Sequence, residues 1–213
     1  MLIAIDDLTR HNYSYLASTD ECYYLCEYFS GMGYDHSREN QLIFNFKKPV
    51  EKRGSPGYHY KAKAIIAIGT IFRTEVLTAL DANNTSLVPI PPSKTKRHNH
   101  YDDRMFQMLS NAINGTPFDC RELISQKNDT QPAHDSNDRP RPEQLKINYQ
   151  IEHSQVDGLK DLIVLVDDVL TTGAHYVACR DLIKEVLPPK KVIGIFIARC
   201  NRNKRAHMDF NMF

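Results

Sequence analysis

The segment that most restricts how this chain can fold lies near its carboxyl end, where two apolar runs flank one amphipathic stretch. Residues 162–166 (LIVLV) are uninterrupted and rich in β-branched side chains, and residues 192–198 (VIGIFIA) repeat that character. Between them Ala174, Val177, Ala178, Leu182 and Val186 recur at helical spacing, the pattern of a helix with one buried face. Strand, helix and strand at this separation make a βαβ unit, and continuous apolar runs mark parallel strands covered on both faces. The chain is therefore predicted to be an α/β protein with a mostly parallel, twisted sheet and flanking helices.

Upstream, Ala62, Ile65, Ile66, Gly69, Phe72, Val76 and Leu80 predict a helix beginning near Lys61. Residues 86–90 read as a strand, 101–113 as a helix presenting Met105, Leu109 and Ala112 or Ile113, and 120–124 as a further short strand. In the Tyr-rich first sixty residues a helix is expected over 20–32, capped by Thr19 or Asp20 and ended by Gly-Met-Gly, with a strand over 41–46. Tyr23, Tyr24, Tyr28, Phe29 and Tyr34 then either pack a small core or form an aromatic platform for a base. Residues 126–144 (QKNDTQPAHDSNDRPRPEQ) carry three prolines, one alanine and no larger aliphatic or aromatic side chain, so a mobile loop is predicted there. Long loops of this kind serve as active-site lids or are disordered segments.

At 213 residues the chain can bury a real core, and 41% apolar with 25% charged residues excludes fibrous and wholly disordered classes. Its 27 Lys and Arg against 26 Asp and Glu leave a net charge of +1, so nothing global attracts a polyanion or an anionic membrane. Any nucleic-acid contact must be local. The tail Arg199, Arg202, Lys204 and Arg205 could contact nucleic acid or an anionic substrate, but it reads better as a solvated terminus. The longest apolar run, residues 65–72, is far below the ~20 residues that span a bilayer. Acids enter too early in MLIAIDDLTR for a signal peptide, which points to a soluble, cytoplasmic protein without a membrane partner. Cys22, Cys26, Cys120, Cys179 and Cys200 form no CxxC pair, as in a reducing compartment. Cys22 and Cys26 would share a helix face, but two thiolates alone make a poor metal site, and His98 and His100 fall in a stretch that reads as loop. No resident metal site is expected.

Chemistry concentrates in the turn of the βαβ unit. In an open parallel sheet, ligands bind beyond the carboxyl ends of strands. Asp167 and Asp168 lie there, and Thr171, Thr172, Gly173, Ala174 and His175 then open the helix with free N–H groups and the positive end of its dipole. Gly173 permits close backbone approach to a phosphate. Two acids before an anion-binding helix start suit a phosphorylated sugar: the carboxylates accept from hydroxyls while amides and threonine hydroxyls hold the phosphate. A bland alternative is that the acids cap a turn and TTG breaks the chain.

These residues, DDVLTTGA (167–174), resemble the phosphoribosyl pyrophosphate motif of type I phosphoribosyltransferases. Upstream, Leu87-Val88-Pro89-Ile90-Pro91-Pro92-Ser93-Lys94 resembles the VPxP turn of the family's ComF-like branch. The resemblance covers roughly residues 61–200. It implies a phosphoribosyltransferase-like core over 61–213 beneath an α+β amino-terminal hood, 1–60, that recognises the acceptor. It also implies that Asp167 and Asp168 bind the ribose hydroxyls and that Thr171 to His175 cradle the 5-phosphate. Ile90, Pro91, Pro92, Ser93 and Lys94 would form the pyrophosphate loop, with Lys94, Lys96 or Arg97 supplying positive charge, although KTKRH also reads as a solvated loop. Arg139 and Arg141 would be phosphate contacts from the 126–144 lid. His175 stands where the family has Thr or Ser, and Asn99-His100-Tyr101-Asp102-Asp103-Arg104 stands where the branch has RGFNQ.

The activity so implied is transfer of a phosphoribosyl group from phosphoribosyl pyrophosphate, with Mg²⁺, to an unknown nitrogenous acceptor. The partner would be a small-molecule sugar phosphate, in a chain able to act as a homo- or hetero-oligomer. The alternative is a non-catalytic nucleotide sensor or effector subunit of a larger complex, as in bacterial defence systems.

Overall fold

The computed structural model describes residues 1–129 and 140–201. In chain order these form β1 (Ile3–Ala4), α1 (Asp7–Arg10), β2 (Cys22–Phe29), α2 (Arg38–Phe46), α3 (His59–Glu75), β3 (Thr85–Pro89), α4 (Arg104–Ile113), β4 (Asp119–Cys120), β5 (Ile124–Gln126), α5 (Pro142–Asn148), β6 (Tyr149–Ile151), β7 (Leu162–Leu170), α6 (Ala174–Val186) and β8 (Lys191–Asn201). Six strands make one sheet in the order β1-β2-β8-β7-β3-β4, and β5 pairs with β6 in a separate antiparallel ribbon. Only β1 runs antiparallel in the large sheet. The α/β, mostly parallel architecture expected from 162–198 is the one observed, with β7 and β8 paired from Leu162↔Lys191 to Leu170↔Arg199.

Both faces of the sheet are covered. Ile163 and Leu165 of β7 and Phe196 of β8 pack with Tyr176, Ile183, Tyr149 and Leu16, while Val164, Val166, Ile195 and Ile197 pack with Phe46, Ile68, Phe72 and Leu109. Strand side chains alternate between faces, so an uninterrupted apolar run feeds two cores at once. On the second side α3 and α4 approach closely at Gly69, where a Cβ would lie 3.0 Å from the Met108 carbonyl oxygen. On the first side α6 buries Val177, Ala178 and Leu182 as expected, but Val186 is exposed in its last turn. No helix among the described residues is long and apolar enough to cross a membrane.

The amino-terminal residues share this sheet. The helix expected over 20–32 is instead β2, paired in parallel with β8 from Cys22↔Gly194 to Phe29↔Asn201. Aromatic side chains favour a pleated, half-buried surface, and a partner strand distant in sequence outweighs the helical spacing of the tyrosines. Asp20 does not cap a helix: it is buried, accepts the Ala17 N–H at 2.8 Å and pairs with Arg180. The strand expected over 41–46 belongs to α2. Ser37 caps that helix by accepting the Asn40 N–H at 3.0 Å, and Asn40, Ile43 and Phe46 at three-residue spacing face inward. Asn40 repays its burial by accepting from the Phe29 N–H and donating to the Phe29 and Gly33 carbonyls, each at 3.0 Å.

Tyr24 is buried on β2, while Tyr28 and Tyr34 meet Phe44 of α2 edge-on, with centroids 6.0 and 6.2 Å apart. The strand expected over 120–124 divides into β4 and β5. Of the loop expected over 126–144, the described ends are ordered: Gln126 closes β5, the Lys127 N–H donates to Asn148 at 2.8 Å, and Pro142 opens α5. Residues 130–139 lie outside the described residues. Burial pushes the Cys22 thiol up to about 12 and the Cys26 thiol to about 11, so neither is poised as a thiolate ligand.

Candidate functional site

The sheet order creates one topological switch point. From β3 the chain adds β4 on one side, then crosses to the other side for β7 and β8, so connections leave β3 and β7 in opposite directions. A crevice opens at the carboxyl ends of such neighbours. There the Ile90 N–H still donates to the Val166 carbonyl at 2.9 Å before the two chains diverge.

Asp167 and Asp168 remain in β7, and adjacent strand residues point to opposite faces. Asp168 faces α2 and α4. Its Oδ1 accepts from Lys47 Nζ at 3.1 Å and its Oδ2 from Arg104 Nη2 at 2.5 Å. Arg104 also donates to Asp102 Oδ2 at 2.5 Å, and Lys61 Nζ reaches the same oxygen at 2.8 Å. Lys61 completes its shell with the carbonyls of Phe46 at 3.2 Å and Lys48 at 2.7 Å. Burial alone raises the Asp168 pKa, but Lys47 and Arg104 outweigh it and hold this carboxyl well below the usual range.

Asp167 faces the other way, toward Tyr149 and Cys179, whose already raised pKa values its charge raises further. One of its oxygens accepts the Asp168 N–H at 2.8 Å. Burial first, and the Asp168 charge second, push its pKa up. A carboxyl whose folded pKa is raised stabilises the fold fully below its unfolded value of about 4 and loses that contribution as pH rises through the folded value. Wild type is therefore expected to lose stability relative to Asp167→Asn as the pH rises from about 4 to about 7. Thermal melts of both proteins across that range check it, and a constant difference would refute the assignment.

The 171–173 turn enters α6 through Gly173, at φ 85° and ψ 0°. Left-handed backbone requires glycine here, but the space a side chain would take is already filled: a Cβ would lie 2.7 Å from Leu16 Cδ2. The amino-terminal segment also fastens the turn through the Tyr15 N–H, which donates to the Thr172 carbonyl at 3.1 Å. Gly173 thus accommodates a neighbouring side chain. Thr172 Oγ1 accepts the Ala174 N–H at 3.4 Å, and the first turn of α6 directs its N–H groups back toward this loop. The His175 ring is half-buried and turned away to Tyr149, with Nδ1 2.7 Å from the hydroxyl. Burial lowers its pKa and favours the neutral imidazole.

Other expected residues are dispersed. Ile90 is buried, Pro91, Pro92, Ser93 and Lys94 are half-buried, and the Pro92 carbonyl accepts from Gln126 Nε2 at 2.7 Å. Lys96 pairs with Glu122 at 2.6 Å. Arg141 is the exposed N-cap of α5, and its N–H donates to Gln144 Oε1 at 2.9 Å. Arg139 lies outside the described residues, as do Arg202, Lys204 and Arg205. Arg199 leaves the basic tail altogether, pairing with Glu27 in the sheet and covering the Tyr24 ring at 4.7 Å.

Reading the sequence missed Lys47, Lys61, Asp102 and Arg104, the charged groups gathered around Asp168. One signal was present: Lys61 stands four residues before Ile65 and seven before Ile68, on the stripe of α3 that is buried. Among the described residues, no three His, Cys, Asp or Glu side chains gather to hold a metal ion. In comparisons with known proteins the chain matches no protein-family model, and a search of curated proteins returns no match either.

Proposed function

We propose that this chain binds phosphoribosyl pyrophosphate in the crevice between β3 and β7 and transfers its phosphoribosyl group to a nitrogenous acceptor. The observation that carries the reading is the junction of β7 and α6: two acids at the end of a central strand, followed at once by a Thr-Thr-Gly turn into a helix amino terminus, at the sheet's switch point. In this reading the amides of residues 171–175 and the threonine hydroxyls hold the 5-phosphate. Asp167 and Asp168 accept from the ribose hydroxyls. As the bond to pyrophosphate lengthens, positive charge grows on the ribose ring, and the adjacent carboxylates stabilise it. With both oxygens of Asp168 held by cations, Mg²⁺ would be carried by the donor's own diphosphate oxygens and water. Magnesium then supplies neutralisation of the departing diphosphate.

The test is calorimetric titration of the full chain with the donor and Mg²⁺, with released pyrophosphate assayed in the same sample. Saturable binding is expected, and Asp167→Asn with Asp168→Asn should reduce pyrophosphate release by at least about a hundredfold. Equal turnover in the double variant would overturn the assignment. A second reading, a sensor that binds without turnover, is favoured by the ion pairs on Asp168, which occupy the acceptor atoms a ribose hydroxyl needs. Binding without pyrophosphate release selects it.

A further inference from the structure

The charged groups behind Asp168 form a chain with unequal ends. In order they are Lys61, Asp102, Arg104, Asp168 and Lys47: three cations joined by two carboxylates. The side chains of the first four are 7, 13, 18 and 7% exposed, whereas Lys47 is 38% exposed. Asp167 and Asp103 lie within electrostatic reach of this chain without pairing in it, and its solvent end is an ammonium on a flexible stem at the end of α2. Arg104 is not free to exchange: it is clasped by two carboxylates, with its Nε buried and without a hydrogen-bond partner. Lys47 makes a single, longer contact, at 3.1 Å, with Oδ1 of Asp168.

We infer that Lys47 is an exchangeable cation which leaves Asp168 for the diphosphate of the incoming ligand, and in leaving frees Asp168 Oδ1 to accept a hydroxyl hydrogen. Asp168 Oδ2 stays on Arg104, so the carboxylate keeps its place while one oxygen changes partner. The occupied state of Asp168 seen here is then the resting state of a site with two mutually exclusive ion pairs. Anion binding and release of Asp168 are linked, and each favours the other by the same factor. The inference rests on the proposed donor reading for the source of the diphosphate, but the exchange can be measured without the ribose.

The experiment titrates inorganic pyrophosphate, without metal, into the full-length chain and its Lys47→Gln, Asp168→Asn and doubly substituted forms. Losing the ammonium should weaken binding about tenfold. Losing Asp168 should tighten binding several-fold, because Lys47 no longer has a competing partner, and this gain should vanish when Lys47 is also replaced. Weaker or unchanged binding in Asp168→Asn, a gain that survives without Lys47, or no binding by wild type would each overturn the exchange. Melting curves establish that each variant is folded. Should Asp168→Asn fail to fold, Lys47→Arg against Lys47→Gln decides: retained affinity in the first and loss in the second supports the inference, and equal affinities refute it. If the cycle behaves as expected but the ribosyl donor binds no better than pyrophosphate, the donor reading fails while the exchange stands. Donor turnover with a flat cycle means the reverse: the donor reading stands and the exchange fails.

Discussion

Arg104→Met is expected to lower the unfolding free energy by about 3–5 kcal/mol, because removing one partner from a buried ion pair leaves the other uncompensated. Here the loss is double. The guanidinium spans Asp102 and Asp168 at 2.5 Å each, and it also lies over the Phe46 ring at 5.7 Å. Burial alone would push its pKa down, but Asp168 and Asp102 together hold it up. Methionine fills much of the volume and keeps the packing on Phe46, so the deficit isolates the charge. For a chain of this size the melting temperature should fall by roughly 10 °C. Arg104→Lys should recover only part of it, since a point ammonium cannot bridge two carboxylates as a planar fork does. Thermal and urea unfolding of the two variants provide the measurement. A loss below about 1 kcal/mol would mean that the pairs behave like solvent-exposed ones.

Gly173→Val should be the most damaging change in the turn itself, destabilising by about 2–4 kcal/mol. Two separate effects add. The backbone at φ 85° disfavours any Cβ, and the new atom would fall 2.7 Å from Leu16 Cδ2 and 2.9 Å from its Cγ. The crowding is specific to Leu16, whereas the dihedral strain is not. Gly173→Ala combined with Leu16→Ala should therefore cost at least about 0.5 kcal/mol less than the two single changes summed. The backbone component should remain in the pair. Strict additivity in denaturant titrations would show that Leu16 does not press on the turn. Because the same turn presents the α6 N–H groups, the proposed reading expects donor affinity to fall with Gly173→Val even below its melting temperature.

The elements that could be read from the sequence are those whose signals are local and whose environment is uniform. Residues 162–198 read as strand, helix and strand because both strands are buried on two faces and α6 carries its own apolar stripe. Helix α3 and strand β3 were legible for the same reason. The first sixty residues were not. Residues 20–32 become a strand only when β8 arrives beside them, and Asp20 looks like a cap until Arg180 of α6 is found against it. Residues 41–46 hold a short apolar run that suits a strand as well as a helix, and what decides for helix is the cap at Ser37 and the burial of Asn40.

At the candidate site the order of residues is enough to bring the two acids, the glycine turn and the helix start together, because they are consecutive and their geometry follows from the strand-to-helix junction. What each group meets there is settled by the folded chain. Lys47 and Arg104 reach Asp168 across 121 and 64 residues of chain, Leu16 fills the space beside Gly173, and Tyr149 takes the ring of His175. Adjacent residues on a strand point to opposite faces, so Asp167 and Asp168, alike in sequence, enter different environments and acquire opposite shifts. Partners drawn from distant segments leave no local periodicity, and a buried charge is intelligible only once the group that compensates it has been brought beside it.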